Sequence, residues 1–236
     1  MKSIVGSWLL FLIISIPIVA NAETLFSDDF QAGLGKEWIF SERGGADAWK
    51  VVEDKGGNKI LQKTGSSWTI ISVDEVASLD GGKEIWATAK IRCDKATADE
   101  GTELGLLIDP AVSNGNWYFA VRAMSGQAGF DELAVALHDL VPYGSWSVGD
   151  WHYAKVAVIG DIFYGKVWLD GDPEPADWIT KTTLTSHLDQ DGVGFAVDTN
   201  EVSFDDLVVS DDEAGLVLSV DVAGKLPLTW GNIKMK

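Results

Sequence analysis

The stretch from Trp151 to Gly171, WHYAKVAVIGDIFYGKVWLDG, decides the fold of this chain. Two runs rich in β-branched and aromatic residues, Trp151 to Ile159 and Ile162 to Asp170, flank the dipeptide Gly160-Asp161. This pattern predicts a β-hairpin with a two-residue turn, in which glycine supplies the positive φ. In the second run one parity is apolar and the other mixes rings with charges. One face of the hairpin is therefore predicted to be core.

The same period of two recurs along the chain. The run Lys83 to Cys93, KEIWATAKIRC, alternates over its whole length, which is typical of a half-buried antiparallel strand. Other strands are predicted at 24–30, 49–53, 59–62, 68–73, 103–109, 116–123, 132–137, 192–198 and 202–210. Turn residues separate them, and no long segment has a 3.6-residue period. The pattern predicts an all-β, two-sheet antiparallel sandwich of the jelly-roll type with little helix.

The first 22 residues have the features of a signal peptide. Lys2 precedes an apolar run from Trp8 to Ala20, and Ala20-Asn21-Ala22 matches a signal peptidase site. The alternative is a membrane anchor, but the run is shorter than the roughly 18 to 20 residues that a span needs. We therefore expect a secreted, periplasmic or cell-surface protein, with no membrane span in the mature chain. The predicted units are a signal peptide (1–22), a jelly-roll domain (23–213) and a C-terminal extension (214–236) with one last strand and a short tail.

The charge of the chain limits its partners. The sequence has 36 acidic and 18 basic residues, a net charge of −18. Such a surface repels phosphate groups, which argues against nucleic acid and anionic membrane surfaces as partners. It suits a cation such as calcium. Cys93 is the one cysteine of the sequence, so an internal disulfide is excluded.

Three pieces of the chain, in this order, carry a family resemblance. They are FSDDF at 26–30, GDWHYAKVAVIGDIFYGKVWLDG at 149–171 and SFDDLVVSD at 203–211. The order resembles the concanavalin A-like lectin and glucanase superfamily, the laminin-G-like jelly rolls. The resemblance frames residues 24–210. It implies two antiparallel sheets curved against each other, with the first and last strands adjacent.

The resemblance also implies a structural calcium, as in the laminarinase-type glucanases. That ion lies near the opening strand and is held by an aspartate of the closing strand. The matching positions here are Asp28 or Asp29 and Asp205 or Asp206. Calcium prefers several oxygen ligands, including carboxylates, so clustered aspartates are suitable. The alternative is that these aspartates end their strands in water.

The glucanases of this superfamily place their catalytic carboxylates on one strand, in the pattern Glu-x-Asp-x-x-Glu, about 5 Å apart. This sequence lacks that pattern. The nearest acidic groupings are Asp131-Glu132, Glu100 to Glu103 and Asp74-Glu75, which we interpret as solvated loop or strand-end charges. His-x-x-x-His and Gly-x-Ser-x-Gly motifs are also missing from the sequence. We therefore predict a non-catalytic module. The alternative is a glycan-acting hydrolase with a non-standard carboxylate pair assembled by folding.

Aromatic side chains that share a strand face with charges are candidates for binding, because sugar rings stack on them while hydroxyl groups pair with polar side chains. The candidate ligand-binding residues are Trp86, Lys90, Arg92, Tyr118, Arg122, Tyr164 and Trp168. If their strands are neighbours in one sheet, they line one groove. The sequence thus predicts an exported β-sandwich that binds carbohydrate, such as a cell-surface glycan, or another extracellular partner. Two alternatives remain open: the rings seal a covered face, or the protein is a structural module of a surface assembly.

Overall fold

A computed structural model describes residues 22–41, 46–65, 67–76, 79, 84–109, 111, 115–133, 135–144, 146–186 and 188–216. Residues 1–21 of the predicted signal peptide and most of the predicted C-terminal extension lie outside these residues. The described part of the chain is all-β, with fifteen strands and three one-turn 3-10 helices. It contains no helix long and apolar enough to cross a membrane.

The strands follow one another with short connections. They are β1 (Thr24–Asp28), β2 (Trp38–Phe40), β3 (Trp49–Glu53), β4 (Lys59–Lys63), β5 (Thr69–Val73), β6 (Glu84–Lys95), β7 (Gly101–Ile108), β8 (Trp117–Arg122), β9 (Gln127–Glu132), β10 (Ala136–Pro142), β11 (His152–Ile159), β12 (Ile162–Leu169), β13 (Thr180–Thr183), β14 (Gly192–Val197) and β15 (Glu201–Ser210). The 3-10 helices are Ala46–Ala48, Lys55–Gly57 and Glu213–Gly215.

Two antiparallel sheets form the molecule. The eight-stranded sheet has the order β13-β12-β11-β6-β15-β4-β3, and β1 pairs with β15 beside β4. The seven-stranded sheet has the order β10-β9-β8-β7-β14-β5-β2. Inward-facing side chains of both sheets meet in one core, where Phe195 of β14 stacks on Phe204 of β15 with ring centroids 4.0 Å apart. This arrangement confirms the predicted two-sheet sandwich.

The hairpin predicted from residues 151–171 is confirmed. Strands β11 and β12 pair from His152 with Leu169 to Ile159 with Ile162, which leaves a two-residue turn. Gly160 has φ +64°, as a type II′ turn requires at its first central position. Strand β11 also pairs with β6 along its length, so the hairpin extends the centre of the eight-stranded sheet.

The first and last strands pair, as the resemblance implies. Thr24 of β1 lies opposite Ser210 of β15, and Asp28 lies opposite Leu207. Strand β15 therefore has β6 on one side and both β1 and β4 on the other.

One predicted strand, 132–137, is wrong. Strand β9 ends at Glu132 and β10 begins at Ala136, and Val135 N donates to Glu132 O at 2.7 Å in the turn between them. Leu133 packs into an apolar cluster on the outer face of the seven-stranded sheet, and its N–H bonds the carbonyl of Asn116 at 2.9 Å. These contacts reverse the chain within an apolar run.

Candidate ligand-binding groove

The predicted binding residues lie on two opposite faces of the sandwich. Three of them, on β6, and two, on β12, belong to the outer face of the eight-stranded sheet: Trp86, Lys90, Arg92, Tyr164 and Trp168. Tyr118 and Arg122 lie on β8, in the seven-stranded sheet. The condition for a single groove, that all these strands are neighbours in one sheet, is therefore not met. Alternation along a strand gives the face of each residue, but it does not say which sheet the strand joins.

A loop closes over the rings of the eight-stranded sheet. This covering loop, residues 171–179, brings Trp178 against Trp86 and Tyr164, with ring centroids 5.6 and 5.5 Å away. Trp86 is only 6% exposed as a result. Trp168 stacks on Tyr153 at 5.4 Å. The loop thus covers Trp86, whereas Tyr153, Tyr164 and Trp168 remain partly exposed.

The basic residues of this face have partners within the protein. Lys90 lies 3.4 Å from Asp170 and 3.5 Å from Asp206. Arg92 pairs with Asp54 at 2.7 Å and with Asp94 at 2.5 Å. A ligand would have to displace these carboxylates to reach either cation.

The outer face of the seven-stranded sheet carries an open groove. It consists of two adjoining cavities of about 440 and 210 Å³. Four residues line both cavities: Trp68, Asp131, Leu137 and Asp198. The groove crosses the strands from β10, which carries Leu137, to Trp68, which precedes β5. Because it runs across the strands, an extended ligand in it would contact residues from several of them.

Strand alternation builds the floor of the groove. On β7, Leu104 points into the core, so its neighbour Glu103 points out. Ala120 of β8 pairs with Glu103 and also faces the groove. Gly101 faces it too, and a Cβ at that position would overlap Oε1 of Glu103. Small residues thus leave room for the carboxyl group.

Glu103 and Asp131 form a hydrogen-bonded pair of carboxyl groups on this floor. Burial, reinforced by the nearby Asp131, raises the pKa of Glu103 well above its ordinary value. Burial also raises the pKa of Asp131, although the hydrogen bond to Glu103 and the charge of Arg122 oppose that shift. Oε2 of Glu103 is buried and receives no hydrogen bond from a donor in the described part of the chain. The pair is arranged to hold one proton between two carboxyl groups.

A second carboxyl pair lies at the other end of the floor. Asp198 shares a hydrogen bond with Glu100, and burial together with Glu100 raises the pKa of Asp198. Glu100 Oε2 also accepts from Thr199 N at 3.0 Å and from Thr199 Oγ1 at 2.6 Å. The buried ammonium of Lys63 donates to the main-chain oxygens of Asp198 and Asn200. These bonds hold the loop that positions Asp198.

The remaining lining is apolar apart from one base. Val135 and Leu137 form a wall that is 63% and 45% exposed. Trp68 packs on the apolar cluster of the outer face and supplies the opposite wall. Arg122 is tied down by Asp99, because its Nε donates to the main-chain oxygen at 2.8 Å and its Nη2 lies 3.4 Å from Oδ2.

The interpretation of Glu103 and Asp131 as solvated charges is wrong. Glu103 is 3% exposed, in the middle of a strand, and Asp131 is half-buried against it. One sequence signal could have identified Glu103: it is the one charged residue of the otherwise uncharged strand GTELGLLI. Trp68 and Asp198 had no comparable signal, since they flank strands whose pairing brings them to the groove.

Donors within the protein engage two aspartates of the predicted calcium site. Asp28 accepts hydrogen bonds from Phe30 N at 2.7 Å and from Trp38 Nε1 at 2.8 Å. Asp205 accepts from Asn58 Nδ2 at 2.7 Å and from Asp206 N at 2.9 Å. In the described ranges no group of three or more carboxylate, imidazole or thiol side chains is arranged to hold a metal. As placed, Asp28, Asp29, Asp205 and Asp206 do not form a ready calcium cage.

No protein-family model and no curated protein matches the sequence. The structure is similar to that of a carbohydrate-binding module, CBM66, from Bacillus subtilis, with a TM-score of 0.51, 15% identity, and coverage of 72% of this chain and 93% of that one. It is also similar to domain 4 of AbnA, an extracellular arabinanase from Geobacillus stearothermophilus solved with arabinotriose (TM-score 0.53, 13% identity, 83% and 97% covered). Lectin II from Ulex europaeus matches with a TM-score of 0.54, 13% identity, and coverage of 79% and 98%. The chain therefore shares with these proteins the fold of a two-sheet antiparallel β-sandwich.

Proposed function

We propose that this protein is an exported carbohydrate-binding module whose glycan lies along the groove of the seven-stranded sheet. The observation that carries the proposal is a groove that combines an exposed apolar wall, a partly buried tryptophan and convergent carboxyl groups. Sugar C–H faces pack on such walls, while hydroxyl groups hydrogen-bond to carboxyl groups. Solved relatives in fold include a carbohydrate-binding module, a lectin and a domain solved with arabinotriose. These proteins resemble this chain in fold only, and they support the proposal to that extent.

The test is retention on a glycan array of the protein without residues 1–22 and of two tryptophan variants. Trp68→Ala removes one wall of the groove and is expected to weaken retention about fivefold or more, since stacking contacts contribute about 1 kcal/mol or more. Trp168→Ala, on the opposite sheet, is the matched control and is expected to retain glycan as the parent does. Equal loss in both variants, or loss in Trp168→Ala alone, would reject the groove as the site. Circular dichroism of each variant separates lost binding from lost folding.

A second candidate function is glycoside hydrolysis. The observation that favours it is Glu103, a carboxyl group with a raised pKa beside a second carboxyl, as in an acid paired with a carboxylate. Direct hydrogen bonding brings the two groups closer than the about 5 Å of retaining enzymes, which argues for binding instead. New reducing ends from β-glucans, lost in Glu103→Gln, would establish the hydrolase and replace the binding module as the function.

A structural calcium stays a prediction from the resemblance. To bind at Asp205, the ion would have to displace the hydrogen bonds from Asn58 and from the amide of Asp206. The ion would also relieve the repulsion between the carboxyl groups of Asp205 and Asp206. Calorimetric titration of the chelated protein tests it: calcium-dependent heat together with a higher melting temperature is expected if calcium binds, and the absence of both ends the proposal.

A further inference from the structure

The groove carries more negative charge than the binding of a neutral sugar requires. Four carboxyl groups line it or hold its end: Glu100, Glu103, Asp131 and Asp198. Arg122 is the one basic side chain among the described lining residues, and Asp99 already neutralises it. Even with one proton shared between Glu103 and Asp131, the groove keeps an excess of negative charge.

A buried acceptor points to a missing donor. Glu103 is almost fully buried, and apart from the proton that it shares with Asp131, its Oε2 meets no hydrogen-bond donor in the described part of the chain. It belongs to the lining of the smaller cavity, together with Gly101 and Ala120. Because this oxygen is shielded from water, a ligand that donates a hydrogen bond to it gains binding energy. A cationic donor gains more than a hydroxyl group, because hydrogen bonds between charged groups are roughly twice as strong as neutral ones.

The walls determine what kind of cation fits. Trp68 and Leu137 offer ring-sized apolar surfaces on either side of the carboxyl groups. An inorganic cation would leave these surfaces unused, and the described residues form no metal cluster. An amine carried on a sugar ring uses both the walls and the floor. Carboxylated and sulfated sugars are repelled by the same charges.

We propose that the groove selects saccharides that carry protonated amines, with the amine over Glu103 and Asp131 and the sugar rings between Trp68 and Leu137. This rests on the proposed glycan-binding function and names its ligand class.

The experiment compares three hexamers by calorimetric titration at about pH 6, where sugar amines are protonated. They are β-1,4-linked glucosamine, its fully N-acetylated counterpart and a hexamer of galacturonic acid. The expected result is about tenfold tighter binding of the glucosamine hexamer than of the acetylated one, and no binding of the uronate. Glu103→Gln and Asp131→Asn are expected to reduce that preference to within about twofold. Glu53→Gln, which removes one exposed carboxylate on β3, is the matched control and should keep the preference.

The outcomes separate this inference from the function on which it rests. Equal binding of the two glucosamine-based hexamers, lost in Trp68→Ala, overturns the amine selection and leaves the groove as a glycan site. Failure of every glycan to bind overturns both. A lysine hexamer that competes as well as the glucosamine hexamer also overturns the inference, because the groove would then bind any polycation, with or without sugar rings. If both Glu103→Gln and Asp131→Asn still prefer the glucosamine hexamer, the amine does not bind at this carboxyl pair and the inference is overturned.

Discussion

Asp205 illustrates how one buried carboxyl group ties stability to pH. Its side chain is 4% exposed, and burial together with the neighbouring Asp206 raises its pKa from 3.8 to about 7. The folded protein therefore holds this proton over a pH range in which the unfolded chain has lost it. The contribution of this group to stability is greatest below pH 4 and falls as the pH rises through about 7.

Replacing Asp205 tests this linkage at the residue scale. Asp205→Asn cannot ionise, so its stability relative to the parent is expected to rise by about 1 kcal/mol or more between pH 5 and pH 8. Urea unfolding at both pH values gives the free energies of unfolding, and using their difference cancels any constant cost of the amide. Asp161→Asn, exposed in the β11–β12 turn, should show no such change. A parallel shift at both pH values for Asp205→Asn contradicts the prediction.

The covering loop is the element that distinguishes the two outer faces. Its Glu174 reaches both buried lysines of the eight-stranded sheet, Lys155 at 2.9 Å and Lys166 at 2.6 Å. Lys155 also pairs with Glu213 at 2.6 Å, and Lys166 donates to the carbonyl of Pro175 at 2.9 Å. Glu174 is thus shared by two ammonium groups that water scarcely reaches, and this holds the loop, with Trp178, over the sheet.

Glu174→Gln is expected to lower the free energy of unfolding by about 1–2 kcal/mol, because it leaves Lys166 with a neutral partner only. The loss is smaller than for a fully buried pair, since Glu174 is itself partly exposed. Asp172→Asn, an exposed neighbour in the same loop, serves as the control. Denaturant unfolding measures both. A Glu174→Gln variant that loses no more stability than Asp172→Asn would contradict the role given to this loop.

Period-two patterning predicted the elements whose residues alternate without interruption. Strand β6 and the hairpin of β11 and β12 fall within a few residues of their predicted ends, because in each strand nearly all residues of one parity are apolar or glycine and face the core. Pattern reasoning failed at 132–137, where the chain turns inside an apolar run. It also missed the groove, since the environment of Glu103 depends on Asp131, a residue two strands away in the sheet. Such pairings are set by sheet topology, which alternation does not encode.

At the scale of the whole molecule, one lysine joins the two sheets next to the groove. Lys63 ends β4 in the eight-stranded sheet, and its side chain is fully buried. Its ammonium donates to the carbonyls of Gly65, Asp198 and Asn200. Residues 198–200 carry the chain from β14 of the seven-stranded sheet to β15 of the eight-stranded sheet. The two hydrogen bonds to Asp198 and Asn200 therefore serve both the closure of the sandwich and the position of a groove carboxyl group.

Lys63→Met keeps the length of the side chain and removes all three donors, so it tests both roles. Burial lowers the pKa of Lys63, because the ammonium group is removed from water. This desolvation cost offsets part of the stability that its hydrogen bonds contribute. The loss of stability should nevertheless be about 2–4 kcal/mol, because main-chain carbonyls are left buried without donors. Lys50→Met, on exposed β3, is the control. Glycan affinity should fall in Lys63→Met even under conditions where the variant is fully folded, since Asp198 is no longer held. A stable variant with unchanged affinity would mean that Lys63 supports neither the crossover nor the groove.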